Sequence, residues 1–381
     1  MRILIDATPL QTGHRTRGIG TYTRELLRAL LALDRSNSYL LLVHPERGEA
    51  GLLAALGPLP ANASLVILPR PALGRLSGFA SHQLALPALL SDLRADLFHA
   101  PGFVAAFSVP GVPWHCPLPL VVTLHDFIPL HLPALFNDKA INRWWYRQQM
   151  RIARRASRLI CISQATRQDA IRFMEAQPER CPVIYEGVDR SLFHPETAAQ
   201  PPADPPYVLF VGGNYPNKNR NAALAAFARL TQATTLPHRL LLVGWDDTPE
   251  EELVRRAPGL DLRRVRRVQQ VDAAELARLY RQADLFLFPS TCEGFGLPVL
   301  EAMASGAPVV TSTASSLPEV AGQAALLVDP HDVAGLAAAM MQALADRALH
   351  DRLRAAGLAR AAQLTWQATA EQTLAVYRQA L

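Results

Sequence analysis

At 381 residues, half of them hydrophobic and 19% charged, the chain is long for one core and has the composition of a soluble two-domain enzyme. No apolar stretch reaches the length of a membrane span, and a net charge of +5 spread along the chain is too weak a footprint for nucleic-acid binding. The four cysteines (Cys116, Cys161, Cys181, Cys292) lack metal-type spacing, which fits a reduced, cytosolic chain.

Met1-Arg2-Ile3-Leu4-Ile5-Asp6 reads as a first buried strand rather than a signal peptide. Thr16-Arg17-Gly18-Ile19-Gly20-Thr21-Tyr22 then leads into a helix expected over 21–33. Gly18 and Gly20 permit close backbone approach to a ligand at a helix start, although a plain helix-entry turn fits them equally. A dinucleotide fingerprint would need a third glycine where Thr23 stands. Further strands are expected at 39–43, 65–68, 96–99, 120–124 and 159–162. The run at 120–124 ends on His125-Asp126, where His125 either positions a substrate near neutral pH or bonds into loop backbone.

The helical pattern at 139–157 contains the basic, aromatic segment Arg143-Trp144-Trp145-Tyr146-Arg147, continuing to Arg158. It could lie against an anionic membrane surface. The plainer alternative is packing on the sheet, because Trp145, Gln149, Ile152 and Ala156 recur at helical spacing. Residues 194–206 carry five prolines and no hydrophobic period, as an interdomain linker would.

A second strand series follows at 207–211, 240–243, 284–288, 309–311 and 325–328, with helices at 221–230 and 273–282 and a nearly all-helical end from 331 to 381. Strands alternating with helices on both sides of the linker imply two doubly wound α/β domains with parallel sheets. Facing each other, such domains make a cleft at the C-terminal ends of their strands, where ligands sit.

The loop Gly212-Gly213-Asn214-Tyr215-Pro216-Asn217-Lys218-Asn219 puts glycines at a strand end before a lysine, but the Walker pattern is absent. Lysine occurs only at Lys139 and Lys218, nearly all positive charge being arginine, which favours a position where arginine would not serve. Lys218 therefore either faces a diphosphate or is a solvated loop residue. Asp246-Asp247 is weak support for a metal, and no Asp-x-Asp occurs.

The run Glu293-Gly294-Phe295-Gly296-Leu297-Pro298-Val299-Leu300-Glu301 is the most informative. Pro298 suits the first residue of a helix, and Gly294 and Gly296 suit a turn before it. Backbone N–H groups at the helix start would bind phosphate, and the two carboxylates, acceptors only, suit hydroxyl-rich groups on either side. That combination describes a nucleotide sugar. Glutamates placed near a helix start by the macrodipole are the bland alternative.

These residues resemble the retaining glycosyltransferases of family 4. The most specific match is the glutamate-x-seven-glutamate motif, Glu293 through Glu301. Supporting it are Arg17-Gly18-Ile19-Gly20, Leu124-His125-Asp126, Val183 through Asp189, Gly212 through Asn219, Ala283 through Ser290, Pro308-Val309-Val310 and Ser316 through Val320. The resemblance implies the GT-B fold: two Rossmann-like domains, at 1–193 on the acceptor side and 207–362 on the nucleotide-sugar side, facing across a cleft. A helix at 363–381 would cross back to the first domain.

By the same resemblance, Glu293 would hold hydroxyls of the transferred sugar and Glu301 the ribose diol. Amides around Gly294, Phe295, Gly296 and Leu297, with Lys218, would bind the diphosphate beside Gly212 and Gly213. The base would lie near Val271. His125, Gly18 and Gly20 would reach in from the first domain, with Glu293, His125 and Lys218 serving catalysis. Gly213 and Asn217 stand where many members carry arginine, so Arg15, Arg17 or Arg220 would complete the diphosphate site.

No cofactor or metal is implied, only a nucleotide-diphosphate sugar as co-substrate, with GDP-mannose the leading donor. The acceptor would be a glycan or polyprenyl-linked oligosaccharide, in the cytoplasm or at the inner face of the plasma membrane. Rival readings are a GT-B epimerase, active without acceptor, and a non-catalytic scaffold that binds sugar nucleotides. A pyridoxal-dependent phosphorylase would need its Schiff-base lysine to be Lys139 or Lys218.

Overall fold

The structure, a computed structural model, describes residues 1–13, 15, 18–45, 48–69, 73–74, 77–103, 111–133, 140–195 and 205–381. Arg17, Lys139 and most of the proline-rich segment at 194–206 lie outside the described residues. Two compact units form, one from Met1–Gly187 with Trp366–Leu381 and one from Val188–Thr365.

The first unit holds β1 (Arg2–Asp6), β2 (Ser38–Val43), β3 (Ala63–Ile67), β4 (Leu97–Ala100), β5 (Leu120–Leu124) and β6 (Arg158–Cys161). They pair in the order β3-β2-β1-β4-β5-β6, all parallel. The second unit holds β7 (Tyr207–Val211), β8 (Arg239–Val243), β9 (Val265–Val268), β10 (Leu285–Phe288), β11 (Val309–Ser312) and β12 (Leu326–Val328). Their order, β12-β11-β10-β7-β8-β9, is the same doubly wound arrangement again. The chain duplicates an architecture that no sequence repeat betrays.

Central strands such as β5 and β10 are buried along their whole length, which is why they read as unbroken apolar runs. The strand absent from the sequence reading is β9, Val-Arg-Arg-Val, at the sheet edge. Only one neighbour and partial burial are asked of it, so arginines are tolerated and the apolar signal disappears.

The chain leaves the first unit earlier than the expected boundary at 193. Ile184 N still donates to Cys161 O at 2.9 Å, extending the edge beyond β6, whereas Val188 N donates to Leu364 O in the second unit at 3.3 Å. The last helix, Trp366–Ala380, belongs to the first unit and packs against the helix Gly18–Leu33. Tyr377 OH lies 2.6 Å from His99 Nδ1, Thr369 Oγ1 donates to Tyr185 O at 2.7 Å, and Trp366 meets Tyr22 edge-on.

In the helix Ala140–Ala153, Trp145, Gln149 and Ile152 are buried, as is Ala156 just beyond it, so this face packs inward. Ile141, Trp144, Arg147 and Arg151 are exposed. Among the described residues no helix is long and apolar enough to cross a membrane.

Open α/β sheets bind ligands beyond the C-terminal strand ends where strand order reverses. In the second unit that point is between β7 and β10, and in the first between β1 and β4.

Candidate functional site

At the reversal in the second unit, β7 runs out into Gly212 and β10 into Pro289-Ser290. A single turn, Pro216–Lys218, delivers Lys218 from one side, and the loop after β10 delivers Glu293 from the other. Lys218 Nζ sits 2.8 and 3.0 Å from the two oxygens of Glu293. Asn217 Nδ2 reaches Glu293 Oε1 at 3.3 Å, and Ser290 Oγ lies 2.5 Å from the same oxygen. Glu293 is only 8% exposed, so this carboxylate is buried and held by three donors. The Lys218 ammonium also lies 5.0 Å over the Phe288 ring, which limits the directions it can point.

The backbone of this loop is clamped as well. Ser315 Oγ donates to Glu293 O at 2.6 Å, and Ser316 Oγ lies 2.6 Å from Phe295 O. Gly296, with φ of 113°, caps the helix Leu297–Ala304 without any side-chain acceptor. The helix begins at Leu297, so Pro298 occupies its second position rather than its first. Val299 N donates to Gly296 O at 2.9 Å, and Pro298 has no proton to give. Among the described residues the Leu297 N–H has no backbone acceptor, and an open helix start of this kind favours an anion. The Phe295 side chain is buried.

One turn further, Glu301 accepts from Tyr280 OH at 3.2 Å. Burial, and then the Glu301 carboxylate, push the Tyr280 phenol well above its ordinary range, so it stays a donor. Val271 is half-buried in the loop after β9, just before Asp272, whose carboxylate caps the following helix by accepting from Glu275 N at 2.8 Å.

Gly212 N and Gly213 N both donate to Val243 O, at 2.9 and 3.2 Å, and a Cβ on either would run into Lys218 or Trp245, so the close packing of the loops after β7 and β8 requires both glycines. One expectation needs correcting. Arg220 is not available to a diphosphate: its guanidinium is paired with Asp246 and donates to Thr248 Oγ1 at 3.0 Å, with both ion-pair side chains 2% exposed. Asp246 is correspondingly engaged and not poised for a metal. An arginine at 213 would also be impossible here, since Gly213 has φ of 59° and a Cβ on it would lie 2.4 Å from Trp245 O. Arg15 is exposed in the first unit.

In the first unit, Gly18 opens its helix on the surface with no described atom within 4 Å of where a Cβ would stand, and Gly20, two residues on, is buried. Nothing among the described residues demands a glycine at 18. His125 follows β5, and its Nε2 lies 2.7 Å from Pro101 O, a carbonyl that can only accept. The proton is therefore on Nε2, and Nδ1 faces Glu186 Oε1 at 3.7 Å. Burial pulls the His125 pKa down to about 4 against the raising effect of the Pro101 bond, leaving a neutral imidazole at pH 7. Beneath it, Tyr22 OH and His99 Nε2 converge on Thr123 Oγ1 at 3.0 and 2.9 Å.

Residues 16–192 match the family model described as Glycosyltransferase Family 4, and residues 205–346 match that described as Glycosyl transferases group 1. The chain is 29% identical to the O-antigen chain mannosyltransferase B of Escherichia coli over 99% of this chain and 100% of that one. It is 30% identical to a D-inositol 3-phosphate glycosyltransferase of Thermobispora bispora, over 81% and 76% of the two chains. The chain belongs to glycosyltransferase family 4. Its fold is that of sucrose-phosphate synthase from Thermosynechococcus elongatus, with a TM-score of 0.75 at 24% identity, covering 100% of this chain and 98% of that one.

This glycosyltransferase carries site features that motif reading does not single out. Ser290, Asn217, Ser315 and Ser316 fix the first glutamate and its loop, Tyr280 fixes the second, and Glu186 faces His125. Glu186, Asn217, Ser290 and Ser316 stand within family-typical runs, and that was the signal they carried. Ser315 and Tyr280 lie outside those runs and had none.

Proposed function

We propose that this glycosyltransferase moves mannose from GDP-mannose to a hydroxyl of a glycan or polyprenyl-linked oligosaccharide, with retention at the anomeric carbon and without a metal ion. The observation that carries the nucleotide-sugar reading is Glu293, a buried carboxylate held by Lys218, Asn217 and Ser290 beside an uncapped helix start. Support for mannose comes from the Escherichia coli mannosyltransferase, similar over its whole length.

In this reading Glu293 holds sugar hydroxyls, Glu301 the ribose diol, and Lys218 with the Gly296 and Leu297 amides the diphosphate. Val271 borders the base. For Gly18, Gly20 and His125 we propose a share in binding the transferred sugar, with His125 Nδ1 as a neutral acceptor. The bond from C1 to the phosphate oxygen breaks as the acceptor oxygen bonds C1 on the same face, and the acceptor proton passes to the departing phosphate. Negative charge grows on the diphosphate, where Lys218 and the helix start would stabilise it electrostatically.

A second proposal concerns place. Ile141, Trp144, Arg147 and Arg151 make an exposed basic and aromatic face on one helix, suited to an anionic membrane surface carrying a lipid-linked acceptor. Sedimentation with vesicles containing anionic lipid should carry the protein down, and the double variant Trp144→Ala, Arg147→Ala should release it.

The test of the donor reading is thermal shift against GDP-, UDP- and dTDP-sugars, followed by turnover with the stabilising donor in the presence of a chelator. GDP-mannose should stabilise most, and GDP release should need acceptor. Sugar conversion without acceptor would make the protein an epimerase, and binding without release across many acceptors would make it a scaffold.

A further inference from the structure

Trp245 stands at the end of β8 and is 63% exposed, while the other four tryptophans are half-exposed or buried. An indole left in water gives up the burial that makes tryptophan useful to a fold. Here the backbone beneath it is rigid. Trp245 O accepts from Asn214 N at 2.8 Å, and Gly244 N donates to Val268 O at 2.9 Å. The β7 and β8 loops touch so closely that Gly213 has no room for a Cβ against Trp245. The next residue, Asp246, is locked by Arg220 and by Thr248 N at 3.1 Å. An exposed aromatic on a fixed mount costs little ordering entropy when a ligand covers it.

Its position selects the ligand. Lys218 follows β7, Trp245 follows β8 and Val271 follows β9, and those three strands are consecutive neighbours spaced by roughly 4.8 Å. A nucleotide whose diphosphate lies at Lys218 and whose base borders Val271 would pass Trp245 with its flat, apolar end. We propose that Trp245 is the stacking platform for the nucleobase of the donor, an inference that rests on the nucleotide-sugar reading above.

The experiment titrates GDP and UDP into the wild type, Trp245→Ala and Trp245→Phe by calorimetry, with pyrophosphate as a competitor that has no base. For the tighter nucleotide, Trp245→Ala should raise Kd by roughly 5- to 100-fold, the factor a base–aromatic stack contributes, and Trp245→Phe should regain most of it. Pyrophosphate affinity and Tm should stay at wild-type values, because the side chain is exposed. An unchanged nucleotide Kd in Trp245→Ala, or equal losses for nucleotide and pyrophosphate, would overturn the stack while leaving the donor site standing. A wild type that binds neither nucleotide would overturn the nucleotide-sugar reading itself, and the stack with it.

Discussion

Lys218 and Glu293 form a two-pronged ion pair at the strand-order reversal of the second unit, with Nζ at 2.8 and 3.0 Å from the carboxylate oxygens. The pair joins opposite charges that a nucleotide sugar would use separately, hydroxyls on the carboxylate and diphosphate on the ammonium. Glu293→Ala should lower turnover by about 100-fold or more while leaving the Kd for GDP within about threefold, read by a transfer assay and calorimetry. Lys218→Ala should weaken both. Lys218→Arg should restore only part, because the longer, planar guanidinium does not occupy the place of the compact ammonium between Phe288 and Glu293. Equal transfer rates in wild type and Glu293→Ala would end the assignment.

Glu301 and Tyr280 test the ribose end. Removing the phenol in Tyr280→Phe deletes a single 3.2 Å hydrogen bond to Glu301 and should raise the GDP Kd by only about two- to tenfold. Glu301→Ala removes the acceptor itself and should raise it further, with catalysis at saturating donor falling less than in Glu293→Ala. Fluorescence titration of the three proteins with GDP gives the ranking directly.

The first unit should lose stability on acidification. Burial holds His125 at about 4, and burial together with the neighbouring His125 holds His99 at about 3, both below the 6.5 of an unfolded histidine. Between about pH 6.5 and 4 the unfolded chain binds protons that the folded chain refuses, so stability falls as pH falls, by up to ~1.4 kcal/mol per pH unit for each histidine. Above pH 6.5 neither residue contributes a slope. Chemical denaturation across that window should show the loss, and His99→Gln, which keeps polar atoms near Tyr377 and Thr123, should flatten it. A His99→Gln slope equal to that of the wild type would remove His99 from the account.

Eleven of the twelve strands among the described residues are legible in the sequence as apolar runs, the central ones such as β5 and β10 because parallel strands covered on both faces need apolar residues at every position. The arginines of β9 hide the twelfth, since an edge strand is released from that demand. The spacing of Glu293 and Glu301 is legible because one helix start fixes both. Their partners are not: Lys218 lies 75 residues from Glu293, and no local period links them. Arg220 reads as a free cation from its loop, and only the fold brings Asp246 to it. Pattern reports what neighbours in sequence share, whereas charge pairing depends on which strands lie side by side.

Arg220 and Asp246 make the sharpest distinction between a structural and a binding cation. Both side chains are buried, and Asp246 Oδ2 has no hydrogen-bond partner among the described residues, so Arg220 alone balances that charge. Arg220→Met would leave a buried carboxylate uncompensated and should cost about 3–5 kcal/mol in denaturant unfolding. The double variant Arg220→Met, Asp246→Leu should recover most of that loss, because the desolvated charge is gone with its partner. If Arg220 instead served the diphosphate, the single variant would weaken GDP binding at nearly unchanged stability, and Asp246→Leu would do nothing to rescue it. Measuring stability and GDP affinity on the same two proteins separates the cases, and the geometry calls for the first.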